Sequence, residues 1–150
     1  MDASAALTAL LHSGQARKTL AEERVWAPEA IDVEVTNGLR RCMAQGVIDG
    51  KAAHAAMSVW RDLGVRRVSG LGLLGRVWEL CEVLDAGAAN YVALAEALGC
   101  PVVTVDAKLG AAADVQCPVM VVANWEGRSE NVELSATQRN SGLPGSRQEP

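Results

Sequence analysis

Apolar residues recur at helical spacing along much of the chain. Ile31, Val35 and Leu39 form the clearest apolar stripe. That stripe predicts an amphipathic helix from Pro28 to about Ala44, with proline at the first helical position, where its missing N–H costs nothing. Capping residues, glycines and apolar spacing predict five further helices, at residues 3–11, 15–23, 52–63, 73–84 and 89–98, with Gly87 as a break between the last two.

Short runs rich in valine separate these helices. Residues 101–105 and 119–123 are predicted as buried strands, and residues 24–27 and 65–69 as shorter ones. Strands that alternate with helices predict βαβ units and a mostly parallel sheet. From residue 124 onward the chain is rich in Ser, Gly, Asn, Gln and Glu without an apolar period. We therefore predict one domain at residues 1–123 and a flexible polar tail at residues 124–150.

Composition narrows the class of protein. Of 150 residues, 49% are hydrophobic and 21% charged, which is typical of a soluble globular domain, and no apolar run approaches the roughly 20 residues of a membrane span. The net charge of −4 argues against a sequence-wide electrostatic grip on nucleic acid. With only 3% aromatic residues, base stacking on rows of rings is not expected either.

The four cysteines have no metal-ligand spacing, and no export signal accompanies them. We therefore expect reduced, mostly buried thiols and a cytoplasmic protein.

Two aspartates lie where ligands bind in open α/β sheets. Asp106 directly follows the strand predicted at 101–105, and Asp2 precedes the first helix, where the carboxyl end of a first strand would lie. Carboxylates at two such ends can converge on one cation, and hard oxygen ligands favour Mg²⁺ or Mn²⁺. Helix capping or turn formation is the alternative role for each aspartate.

A third acid, Glu34, lies on the predicted helix that follows Pro28. Asn37 and Arg41 come three and seven residues later, so all three share one helical face. A carboxylate, an amide and a guanidinium would suit a metal-and-phosphate site, and a solvated face is the alternative. Arg40, Arg41 and Lys108 could hold an RNA phosphate near the acids, or could be solvated helix ends.

Five segments occur in the order and at the spacing of a known family. They are Asp-Ala-Ser-Ala-Ala-Leu at 2–7, the run 26–41 that contains Pro-Glu-Ala-Ile-Asp-Val-Glu-Val-Thr-Asn, Arg-Val-Trp-Glu-Leu at 76–80, Tyr-Val-Ala-Leu-Ala-Glu at 91–96 and Val-Val-Thr-Val-Asp-Ala-Lys-Leu at 102–109. Together they resemble PIN-domain ribonucleases, in particular the VapC toxins of bacterial toxin–antitoxin pairs, over residues 2–122. The resemblance implies a three-layer α/β PIN-like domain, with a mostly parallel central sheet and helices on both faces.

The same resemblance implies a function and a site. Asp2, Glu34 and Asp106 look like members of the family's acidic catalytic cluster, which binds Mg²⁺ or Mn²⁺, and Ser4 looks like the hydroxyl that supports Asp2. Two more polar residues look like a second layer behind these acids: Asn37 and Thr104. The implied activity is metal-dependent hydrolysis of RNA, with a VapB-like antitoxin lying over the acidic groove and a homodimer as the assembly.

Two positions depart from the family's pattern. The family usually carries an aspartate ligand three residues before the tyrosine of the fourth segment, and here that position is Ala88. Asp85 would share a face with Ala88 if the helix extended back that far, although Gly87 predicts a break and a capping role is the alternative. The family also has a short apolar strand before its first aspartate, and only Met1 precedes Asp2, so we expect a truncated first strand.

These observations predict a VapC-like endoribonuclease that Ala88 impairs. The alternative is a non-catalytic PIN module that binds a VapB-like antitoxin or RNA without cleaving it.

Overall fold

The computed structural model of the protein describes residues 1–124, so the tail predicted at 124–150 lies almost entirely outside the described residues. Helices and short strands alternate along the chain as expected. In order they are α1 (Ala3–Leu11), α2 (Gln15–Glu22), β1 (Trp26–Pro28), α3 (Ile31–Ala44), α4 (Gly50–Asp62), β2 (Arg66–Val68), a 3₁₀ turn (Leu71–Leu73), α5 (Leu74–Leu80), α6 (Ala86–Leu98), β3 (Val102–Thr104), a second 3₁₀ turn (Leu109–Ala111) and β4 (Val119–Val121).

The strands form two parallel pairs that the first two residues join. β1 pairs with β2 and β3 pairs with β4, both in parallel. The Met1 amino group donates to the Trp26 carbonyl oxygen at 3.3 Å, and the Asp2 N–H donates to the Val103 carbonyl oxygen at 2.9 Å. Met1 and Asp2 therefore lie between β1 and β3, at the position expected for a first strand, and give the lateral order β2, β1, residues 1–2, β3, β4.

Helices cover both faces of this arrangement. Successive residues of β3 point to opposite faces, and Val103 packs into a core with residues of α1, α3 and α4, whereas Val102 packs into a second core with residues of α5 and α6. Small side chains allow close helix contact, since a Cβ at Gly38 of α3 would collide with the side chain of Leu7. The three-layer α/β architecture predicted from the sequence is confirmed.

Three local predictions were wrong. Pro28 is the last residue of β1 rather than the first of a helix, and α3 begins at Ile31. The reason is that the Glu29 N–H donates to the Val68 carbonyl oxygen at 3.1 Å and so prolongs the pairing with β2. Gly87 does not break a helix but lies in the first turn of α6. The helix predicted at 73–84 is shorter, since α5 ends at Leu80.

One arginine ties down the long connection between β3 and β4. Arg76 donates to Glu96 at 2.8 Å and to the Asp114 carbonyl oxygen at 2.7 Å, and Glu96 in turn accepts from the Gln116 N–H at 2.9 Å. Asp114 is the one non-glycine residue among 1–124 with a positive φ, 65°. This clamp fixes the segment that follows Asp106.

Among residues 1–124, no helix combines the length and the apolar character needed to cross a membrane.

Candidate active site

Asp2 is held by three hydrogen-bond donors from two directions. Its Oδ1 accepts from the Ser4 hydroxyl at 2.7 Å and from the Ala5 N–H at 2.8 Å, which makes Asp2 the N-cap of α1. Its Oδ2 accepts from the Thr104 hydroxyl at 2.6 Å. The capping role considered from the sequence is thus present, and Thr104 fixes the orientation of the same carboxylate from β3.

Thr104 also connects Asp2 to Asp106. Its side chain is fully buried, and its hydroxyl oxygen accepts from the Asp106 N–H at 2.9 Å while its proton goes to Asp2. The Asp106 carboxylate accepts from the Lys108 N–H at 2.9 Å, so it also forms the turn after β3. The end of β3 therefore positions two carboxylates through one hydroxyl group.

Glu34 reaches the same region from α3, where Tyr91 of α6 holds it. The Tyr91 phenol donates to Oε2 of Glu34 at 2.8 Å. Burial of the ring, and then the negative charge of Glu34, raise the pKa of Tyr91 far above its ordinary value, so the phenol stays protonated and remains a donor.

These side chains line one cavity of about 550 Å³. All three acids predicted from the sequence lie on its wall, as do all three polar residues expected beside them. Arg41 is also on the wall, whereas Arg40 and Lys108 are not among the lining residues. The lining is completed by Ala3, Leu7, Asp85, Gly87, Ala88, Tyr91 and Leu109.

Ala88 lies on this wall at the start of α6. The helix begins at Ala86 with Asp85 as its N-cap, and Asp85 Oδ1 accepts from the Ala88 N–H at 3.0 Å. The capping role considered for Asp85 is confirmed. Its carboxylate is therefore engaged at the helix end even though the residue also lines the cavity.

The oxygen donors of the cavity are of the kind that hard cations prefer, because its acidic side chains are carboxylates. Among residues 1–124, however, no three Asp, Glu, His or Cys side chains lie close enough together to form a ready metal site. Asp2 and Glu34 accept hydrogen bonds from hydroxyl groups on the cavity wall, and those groups orient the carboxylates in the free protein.

Known proteins resemble this chain over most of its length. VapC ribonuclease Mb0985 of Mycobacterium bovis and ribonuclease VapC9 of Mycobacterium tuberculosis are each 45% identical to it over 122 residues, which cover 81% of this chain and 96% of the relative. The chain belongs to the VapC family. Ribonuclease VapC1 of M. tuberculosis, another VapC relative, is 33% identical over 127 residues, with the same coverage of both chains. No protein-family model matches the sequence.

Membership of the VapC family confirms the resemblance drawn from the five sequence segments. What the sequence reasoning missed in this VapC chain is the role of Tyr91. The signal was present: Tyr91 is the only tyrosine, and it begins an apolar run whose burial leaves its hydroxyl group in need of a partner. The partner itself is 57 residues away in sequence, on a different helix.

Proposed function

We propose that this chain is a VapC-type toxin endoribonuclease that hydrolyses RNA phosphodiester bonds with Mg²⁺ or Mn²⁺ in the Asp2 cavity, and that Ala88 impairs it. The observation that carries the proposal is the lining of one cavity by Asp2, Glu34 and Asp106 in a chain whose relatives are named ribonucleases. These three carboxylates would hold the cation. When bound, the cation would supply water activation and stabilisation of negative charge at phosphorus.

The surrounding residues hold the carboxylates in place. Ser4 and Thr104 each donate a hydrogen bond to Asp2, so both of its oxygens have fixed directions. Tyr91 fixes Glu34 in the same way from the opposite helix. Because these donors are already in place in the free protein, little reorganisation is needed when the substrate arrives.

Arg41 is the cationic residue of the cavity wall and binds a phosphate of the RNA in this proposal. It is exposed, and it lies on the same face of α3 as Glu34 and Asn37. A guanidinium can bind a phosphate oxygen pair with two hydrogen bonds, which orients the chain of the RNA across the acids. Arg40 and Lys108 are exposed, lie one and two residues from the lining residues Arg41 and Asp106, and would contact flanking phosphates.

Ala88 weakens this site because a methyl group cannot ligate a cation. Water can occupy the position that a carboxylate would fill, but water brings no negative charge, so both cation affinity and activation of the nucleophilic water fall. In this proposal Asp85 serves as the cap of α6 and not as a replacement ligand.

Two protein partners belong to the proposal. A VapB-like antitoxin would lay a basic segment over the acidic cavity, where its charge complements Asp2, Glu34 and Asp106.

A second copy of this chain would cover an apolar face that the described residues leave open. Leu71 is 77% exposed, Leu74 57% and Trp78 81%, and the three follow one another at helical spacing. Trp78→Lys should convert the dimer to a monomer in a sedimentation experiment.

The test is single-turnover cleavage of a mixed RNA pool at fixed Mg²⁺ by three proteins: the present chain, Asp106→Asn and Ala88→Asp. We expect weak cleavage by the present chain, less by Asp106→Asn, and an increase by orders of magnitude in Ala88→Asp. If Ala88→Asp folds but cleaves no better than Asp106→Asn, the nuclease proposal fails and the non-catalytic binding module takes its place.

A further inference from the structure

Two cysteines occupy matching positions next to the β3–β4 pair. Val102 lies opposite Val119, and the Val102 N–H donates to the Pro118 carbonyl oxygen at 2.9 Å. Two residues earlier on each chain segment stand Cys100 and Cys117. Both cysteines stand just outside the strands, and their side chains pack against the same core as Val102 and Val119 do, which places both on that side of the sheet.

The packing agrees with this placement. Both cysteines contact the core formed with α5 and α6, and both are half-buried rather than enclosed, although the composition predicted buried thiols. Neighbouring strands lie about 4.8 Å apart. This spacing applies to the Val102–Val119 pair, two residues from the cysteines, and falls within the Cα separations of about 4.4–6.8 Å that a disulfide spans.

We propose that Cys100 and Cys117 are a thiol pair that a low-molecular-weight disulfide, such as glutathione disulfide, converts into an intramolecular disulfide. The inference is independent of the proposed nuclease function, because neither cysteine lines the Asp2 cavity.

The surroundings assign different roles to the two thiols. Cys100 lines a second cavity of about 580 Å³ beside Met1, Leu98 and Pro101, so a small disulfide can approach this residue. Burial, together with the negative charge of Glu96, raises the pKa of Cys117, so this thiol is the poorer first nucleophile. Cys100 therefore attacks first and Cys117 second.

The exchange balances without any further oxidant. The Cys100 thiolate attacks one sulfur of glutathione disulfide, breaks its S–S bond and releases one glutathione thiolate. Cys117 then loses its proton to solvent and attacks the Cys100 sulfur of the mixed disulfide, which releases the second glutathione. Two protein thiols are oxidised, and one glutathione disulfide is reduced to two glutathione molecules.

The resulting bond would close a covalent ring around part of the candidate active site. Residues 100–117 include β3 with Thr104, the Asp106 turn and the connection that Arg76 clamps. The ring would therefore hold the Thr104–Asp106 hydrogen bond within a loop whose ends can no longer separate.

The experiment treats the folded full-length chain with glutathione disulfide under native conditions, blocks the remaining thiols and measures intact mass. Trypsin cleaves after Lys108, which separates Cys100 from Cys117. We expect loss of two hydrogen atoms and a linked pair of peptides, 77–108 with 109–128. Because the first of these peptides also contains Cys81, which packs against the same core, Cys81→Ser is the matched control and must retain the link.

Two further variants test the order of attack. Cys117→Ser should stop at the mixed disulfide and gain the mass of one glutathione on Cys100, whereas Cys100→Ser should react several-fold more slowly and form no internal link. The proposal is overturned if the link of the natural chain disappears in Cys81→Ser, or if the natural chain collects mixed disulfides without an internal link. Cys42→Ser, on α3, should behave as the natural chain does.

Discussion

The Tyr91 phenol donates a 2.8 Å hydrogen bond to the Glu34 carboxylate and so connects α6 to α3 across the acidic cavity. Tyr91 is only 5% exposed, and its raised pKa keeps the proton on the phenol. A hydrogen bond to a charged acceptor is shorter and stronger than one between neutral groups. This contact is therefore the one that fixes where Glu34 points.

Tyr91→Phe should lower the free energy of unfolding by about 1–2 kcal/mol, because it leaves a half-buried carboxylate without its donor. Urea denaturation at neutral pH measures the loss. The matched variant is Glu34→Gln, and the double variant completes a thermodynamic cycle whose coupling should be about 1 kcal/mol. Losses that add in the double variant would contradict a direct Tyr91–Glu34 interaction.

Asp85 should matter for the stability of α6 and little for catalysis. Asp85→Ala removes the hydrogen bond to the Ala88 N–H and should cost about 1 kcal/mol. Asp85→Asn keeps an N-cap acceptor and should be nearly neutral in a thermal melt, with RNA cleavage unchanged. If Asp85→Asn melts normally but cleaves no RNA, its carboxylate is a metal ligand and the impairment assigned to Ala88 is wrong.

Much of the site could be predicted from the sequence because its parts obey local rules. Asp106 follows an apolar strand and Asp2 precedes a helix, and parallel strands bring their carboxyl ends to one edge of the sheet. Glu34, Asn37 and Arg41 share a face through helical periodicity alone. The position of strand ends and the helical periodicity together account for five residues that line the cavity: Asp2, Asp106, Glu34, Asn37 and Arg41.

The remaining features depend on tertiary partners that no local pattern encodes. Pro28 fits the start of a helix by propensity, yet pairing with β2 keeps it in a strand. Gly87 lies inside α6, whose N-cap is Asp85, and not between two helices. Arg67 of β2 is held by Asp32 of α3, 35 residues away, and this contact lowers the pKa of Asp32.

The Arg76 clamp predicts a pH-dependent contribution to stability. Hydrogen bonds from Arg76, and then from the Gln116 N–H, lower the pKa of Glu96 below its ordinary value of 4.5. A lowered carboxyl pKa stabilises the fold above the unfolded-state pKa, and this stabilisation is lost as the pH falls through the folded-state pKa. Glu96→Gln should therefore cost about 1–2 kcal/mol at pH 7, and the difference from the natural chain should shrink as the pH falls below 4.5 and through the lowered pKa of Glu96.

The control for this pH series is Glu79→Gln. Glu79 bonds the same arginine at 3.0 Å, but its side chain is 67% exposed, against 13% for Glu96. An exposed ion pair contributes about 0–1 kcal/mol, so Glu79→Gln should scarcely change the denaturation midpoint at any pH. Equal losses in the two variants would mean that burial of Glu96 does not strengthen the pair.

Mn²⁺ binding measures what each carboxylate contributes to cation affinity, independently of RNA cleavage. Calorimetric titration of Mn²⁺ should show weak binding to the present chain and weaker binding to Asp106→Asn, which removes one charged ligand while keeping its shape. Ala88→Asp adds a carboxylate to the cavity wall and should tighten binding by at least about tenfold, since affinity for hard cations follows the number of charged ligands. Bound Mn²⁺ should raise the thermal midpoint in the same order.

Ala86→Asp is the matched control, because it places the same charge in the same turn of α6, at an exposed residue that does not line the cavity. If Ala86→Asp tightens binding as much as Ala88→Asp does, the gain is a general effect of negative charge, and the cavity wall is not where the cation is held.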